Sequence, residues 1–84
     1  MFNNISKLMK TTLEQKRLTQ ADLAKSLGFK NSQFISNVSR GKCSLPLKRM
    51  KHFSYLTDTS IDEIKTAYLA DQSVRFDEAV NDQG

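Results

Sequence analysis

Apolar residues recur along most of this chain at helical spacing. Ile5, Leu8, Met9 and Leu13 stand at i, i+3, i+4 and i+8, one stripe of an amphipathic helix over 5–17. Thr19-Gln-Ala-Asp22 has the shape of a capping box, so a second helix starts at Gln20. That helix buries Leu23, Ala24 and Leu27 and stops at Gly28, which can take the left-handed conformation after a helix end. After a short turn, 28–30, Asn31 or Ser32 caps a third helix, roughly 32–40. It shows Phe34, Ile35 and Val38 on one face and ends at Gly41. Pro46 suits the first turn of a fourth helix, with Leu47, Met50, Phe53 and Leu56 at every third position up to about Thr57. Ser60-Ile-Asp-Glu63 forms a second capping box, leading into Ile61, Ile64, Ala67 and Tyr68 on a fifth helix, about 61–71. Beyond it the chain turns polar and acidic. Val74, Phe76, Ala79 and Val80 leave room for a helical turn or two, and 81–84 are expected to be mobile.

The pattern therefore predicts an all-α fold of five helices, with a helix-turn-helix at its centre, a domain over 1–70 and a short acidic C-terminal extension over 71–84. The extension is read as partly flexible or as support for a dimer. Eighty-four residues supply one modest core, with three Gly and one Pro. Cys43 is the single cysteine, which rules out an internal disulfide and a zinc site of the CxxC type and fits a reducing, cytoplasmic setting. Neither a signal-peptide run nor a membrane-spanning stretch is present, so no membrane association is expected.

Charge changes the picture more than composition does. Residues 1–57 carry eleven basic side chains against Glu14 and Asp22, a formal +9, while 58–84 carry two against seven acidic ones, a formal −5. A basic body with an acidic end is a layout for binding a polyanion. Two short helices joined by a glycine-containing turn meet the requirements of a major-groove reader, with small Ala24 at their crossing and Ile35 and Val38 anchoring the second to Leu23 and Leu27. The free face of the third helix offers Ser32, Gln33, Ser36 and Asn37 to base edges. Gln and Asn can make the bidentate contact to adenine. Lys30, Asn31, Arg40, Lys42 and Lys48, with Arg49 and Lys51 beyond, are placed to grip phosphates, and Gln20 adds a donor at a helix N-terminus. The same polar residues would also suit an ordinary solvated helix face.

Leu18-Thr-Gln-Ala-Asp-Leu-Ala-Lys-Ser-Leu-Gly28, Phe34-Ile-Ser-Asn-Val38 and Arg40-Gly-Lys42 resemble the Cro and lambda-repressor-like helix-turn-helix family, over about residues 5–68. The resemblance implies a five-helix domain that binds operator DNA, commonly as a homodimer on an inverted repeat, with no cofactor and no catalysis. By position, Gln20, Asn31, Arg40 and Lys42 would touch the DNA backbone, and Ser32, Gln33, Ser36 and Asn37 would face bases. Between Gly28 and Ile35 the chain has one residue more than the commonest spacing, which implies a longer turn. Ile64, Tyr68, Val74 and Phe76 read either as core or as a dimer seam, and the resemblance favours the seam.

Other chemistry is thin. His52 has no second histidine or acidic orienter nearby, and no paired carboxylates or nucleophile motif appears, so the reading is not of an enzyme. Cys43 is expected on an exposed loop, where cationic neighbours would lower a thiol pKa, without a role of its own. The alternative to a transcriptional repressor is an antitoxin-like or adaptor module, whose acidic segment engages a basic protein partner while DNA binding is secondary and autoregulatory.

Overall fold

The computed structural model describes residues 1–82. They form five helices, α1 (Asn3–Lys16), α2 (Gln20–Ser26), α3 (Gln33–Ser39), α4 (Leu47–Thr57) and α5 (Ile61–Asp82), and no strand occurs among them. Helix α1 packs against α3 and α5, α2 against α3, and α4 against α5. Their shared core consists of Ile5, Met9, Leu23, Ala24, Leu27, Ile35, Val38, Leu45, Phe53 and Ile64. Burying each of the large side chains among these contributes roughly 1.5–3 kcal/mol.

The helix ends follow local chemistry. Thr19 Oγ1 accepts from the Asp22 amide at 3.0 Å, while the Asp22 carboxylate accepts from the Thr19 amide at 3.4 Å, completing the capping box of α2. Ser60 Oγ accepts from the Glu63 amide at the start of α5 (3.1 Å). Gly28 (φ 86°) and Gly41 (φ 75°) close α2 and α3 in the left-handed conformation. Around each, two amides reach back into the last turn: Gly28 and Phe29 to the carbonyls of Lys25 and Ala24, Gly41 and Lys42 to those of Val38 and Asn37. The same closure ends α1 at Arg17 (φ 53°) and α4 at Asp58 (φ 56°), where no glycine signals it.

Several expectations are corrected. Helix α1 begins two residues earlier than the apolar stripe suggests and ends at Lys16, and its inner face includes Ser6 and Thr12. Pro46 stands at the N-cap of α4, one residue outside the helix. The apolar residues of α4 do not all face inward, because a repeat of three falls about 60° short of each helical turn and drifts half-way round in three steps. Phe53 is buried, Met50 and Leu56 are half-buried, and Leu47 is 65% exposed. The largest correction concerns α5, which runs on from the expected end near Asp71 to Asp82. Asn81 and Asp82 are thus helical, while Gln83 and Gly84 lie outside the described residues.

Asp71 is the reason α5 cannot be divided from the domain at that point. It is 1% exposed, and its carboxylate accepts from the backbone amides of Asn4 (2.8 Å) and Ile5 (2.9 Å) and from Asn4 Nδ2 (3.0 Å). Phe2, the N-cap of α1, offers no side-chain hydrogen bond. An acid from the far end of the chain therefore caps the first helix, meeting both its orphan donors and the positive end of its dipole. Arg75, one turn on, lies over the Phe2 ring at 4.5 Å and fixes the same corner.

The segment after α3 is tied to α1 as well. Ser6 Oγ donates to the Ser39 carbonyl at 2.5 Å, and the Phe2 amide donates to the Gly41 carbonyl at 3.1 Å. The Ser39 hydroxyl itself is buried without a partner among the described residues. Ser39→Ala is therefore expected to leave stability unchanged or to raise it by up to about 1 kcal/mol, whereas Ser6→Ala should cost about 1 kcal/mol. Urea unfolding followed by circular dichroism gives both values, and a Ser39→Ala loss above that of Ser6→Ala would show the assignment to be wrong.

Candidate nucleic-acid interface

Helix α3 is held from below. Ile35 and Val38 are fully buried among Leu23, Ala24, Leu27 and the inner residues of α1, so the opposite side of α3 is turned outward. Gln33 is exposed there, with Ser32, Ser36 and Asn37 half-buried beside it. The turn into α3 spans residues 27–32, as the extra residue in the sequence implies. Phe29 and Phe34 stack across it, their ring centroids 4.8 Å apart at 21°, and the Arg49 guanidinium lies 5.5 Å over Phe29. Arg49 is thus engaged with the turn, although by sequence it counted among the phosphate-gripping cations.

The start of α3 settles which residue caps it. Asn31 Oδ1 accepts from the Gln33 amide at 2.9 Å, while Ser32 occupies the N-cap position without a side-chain bond. Asn31 thereby spends one of its two lone pairs on the helix and keeps the other, with its amide donors, for a ligand.

One turn further on, the polar groups are cross-linked. Asn37 Oδ1 accepts from both Gln33 Nε2 (3.1 Å) and Arg40 Nη2 (3.0 Å). A carbonyl oxygen has two lone pairs, so Asn37 has no acceptor left and cannot make the paired donor-acceptor contact to adenine. Gln33 can, since its Oε1 and second N–H remain free and the bond to Asn37 orients its amide. Within this group Gln33 keeps a free acceptor and donor, and Asn37 is the post that positions it together with Arg40.

In the turn before α3 and at its end Lys30, Asn31, Arg40 and Lys42 are exposed, as is Lys48 on α4, and Gln20, at the first position of α2, is half-buried. The Asp22 carboxylate beside Gln20 adds negative charge to the first turn of α2, which weakens that helix end as a phosphate site. From 23 to 57 the sequence holds seven basic residues and no acidic one, so no carboxylate from this stretch opposes an anion at α3.

The proposed dimer seam is only partly at the surface. Ile64 is 1% exposed and belongs to the core, so it presents no face to a second copy, and Tyr68 is half-buried against it. Val74 (41%) and Phe76 (68%) are exposed, as are Val80 (52%) and Leu69 (51%), the last of which periodicity had not singled out. At about 100° per residue, Leu69, Ser73, Phe76 and Val80 share one outer stripe of α5, opposite Ile64, Ala67 and Asp71.

Cys43 is likewise not on an open loop. It is half-buried against the core, and burial pushes its thiol above the ordinary range, opposite to the lowering expected from its cationic neighbours. A raised pKa leaves less thiolate between pH 7 and 8. Alkylation should then be slower than for an unfolded control across that window and should accelerate only as pH climbs beyond the ordinary thiol range. Equal rates in folded and unfolded protein at pH 7.5 would contradict this.

An open groove of about 590 Å³ runs between α1 and α5, with half-buried Leu8, Ala67 and Ala70 flanked by Lys7, Asp62 and Glu63. No described helix is long and apolar enough to cross a membrane. Comparison with protein families, curated proteins and solved structures finds no match to this chain.

Proposed function

We propose that the protein is a sequence-specific, double-stranded-DNA-binding transcriptional regulator, acting as a repressor, in which α2 and α3 serve as a lambda-repressor-like helix-turn-helix and α3 enters the major groove. The observation that carries the reading is the outer face of α3. An oriented glutamine, its asparagine post and an arginine stand on a helix whose other side is locked into the core. Preorganised base-reading groups bordered by cations are what groove recognition requires. The exposed Lys30 and Lys42 supply the phosphate contacts that set register and make affinity salt-dependent.

Selection from a random duplex pool, repeated at two salt concentrations, tests this. Enrichment of a defined motif with affinity falling steeply as salt rises supports a DNA reader. Uniform weak binding to every sequence would overturn it.

A second reading is a protein-binding module using the acidic C-terminal segment, with DNA binding autoregulatory. The run of α5 to Asp82 with Leu69, Phe76 and Val80 outward favours it. A truncation that separates the two roles must retain Asp71 and Arg75, because both hold the N-terminus of α1. A two-fold dimer, as the resemblance implies, would have to use this outer stripe in place of Ile64.

A further inference from the structure

Two amphipathic faces of the molecule are left uncovered, and they are opposite in charge. On α4, Leu47, Lys48, Lys51, His52 and Tyr55 fall within an arc of about 140°. All five are exposed, Leu47 by 65% and Tyr55 by 85%. An aromatic ring that open beside lysines is an apolar platform with a cationic border. On α5 the outer stripe of Leu69, Phe76 and Val80 is bordered by Asp77. Glu78 lies on the other side of that helix, 4.0 Å from the terminal amine.

We propose that the α5 stripe of one copy docks on the α4 face of the next, a head-to-tail contact between identical chains. It deepens the protein-binding reading by naming the basic partner as a second copy, and it does not depend on DNA binding. Two arguments choose this pairing over α5 against α5. Self-pairing of α5 brings together two faces bordered by Asp77, with Lys65 as the one cation on the outer face, whereas the α4 face adds Lys48 and Lys51, with Asp58 at its end beside Tyr55 as the one carboxylate. Self-pairing also leaves Tyr55 and Leu47 in water, while the head-to-tail contact covers both apolar faces at once.

Such a contact is heterologous, so it repeats one operation and extends into an open series unless the rotation closes a ring. Along a duplex it would set successive α3 helices in the same direction, favouring direct repeats over inverted ones. A contact built from two single-helix faces is small and therefore weak and concentration-dependent.

Sedimentation of the full chain without DNA, up to about millimolar concentration at low salt, reads it out. One variant carries Lys51→Glu and Tyr55→Ser, the other Phe76→Ser. All three positions are exposed, and thermal melts verify that both variants fold. Wild type is expected to grow past the dimer as concentration rises, and each variant alone to associate at least 10-fold more weakly. An equal mixture of the two retains one intact pair of faces and should yield a 1:1 dimer that grows no further. A wild type that stops at the dimer, lost in Phe76→Ser but intact in the α4 variant, would establish α5 self-pairing and overturn the proposal. A monomer at every concentration would overturn it too.

Discussion

Replacing Asp71 with alanine is expected to lower the unfolding free energy by about 2–4 kcal/mol, a shift of roughly 10 °C or more in the thermal midpoint of a domain this size. The carboxylate is 1% exposed and receives three N–H donors, two of them backbone amides at the start of α1. Removing it leaves those amides without the acceptor that replaces water, and takes the negative charge from the positive end of a 14-residue helix. Asp71→Asn keeps an acceptor but not the charge, and should fall about half-way. Asp77→Ala, on the exposed side of the same helix, should change stability by no more than about 0.5 kcal/mol. Urea titrations of the three variants decide the matter. An Asp71→Ala protein as stable as Asp77→Ala would mean that water caps α1 and that the long-range bond contributes nothing.

Gln33→Ala is expected to weaken binding to the preferred DNA site by about 1–3 kcal/mol, roughly 5- to 150-fold, and to relax preference at one base pair while barely changing affinity for random duplex. Asn37→Ala should produce a comparable loss without any base contact of its own, because it frees both the Gln33 amide and the Arg40 guanidinium. Lys42→Ala, at an exposed position just past α3, should weaken all sequences alike and reduce the salt slope by about one. Titration of each variant against the selected site and a scrambled duplex separates the roles. Equal losses on both duplexes for Gln33→Ala would remove it as the reader and move the search along α3 to Ser32 and Ser36.

Much of the helical frame was legible in the residue order because the signals were local. The Thr19–Asp22 capping box, the left-handed turns at Gly28 and Gly41 and the Ser60 cap each depend on residues within one or two turns. The inner anchors Leu23, Ala24, Leu27, Ile35 and Val38 were legible for the same reason, since an apolar stripe at helical spacing states which face is inside. The sequence likewise determined that α3 carries Gln33, Ser36 and Asn37 in a stretch without acidic residues.

What only the tertiary structure decided involves partners far apart in the chain, or a choice between equal local options. Asp71 reads as one of several acids in a polar tail until the packing of α5 on α1 brings it beside Asn4 and Ile5. Ile64 and Phe76 are both apolar residues late in the chain. They differ because α5 has one side against the core and continues beyond it, so the first is buried and the second open to solvent. Periodicity places residues on a helix face but not the length over which a neighbouring helix covers that face. The division of labour between Gln33 and Asn37 likewise rests on which lone pairs are already taken, a property of positioned atoms that residue types alone do not carry.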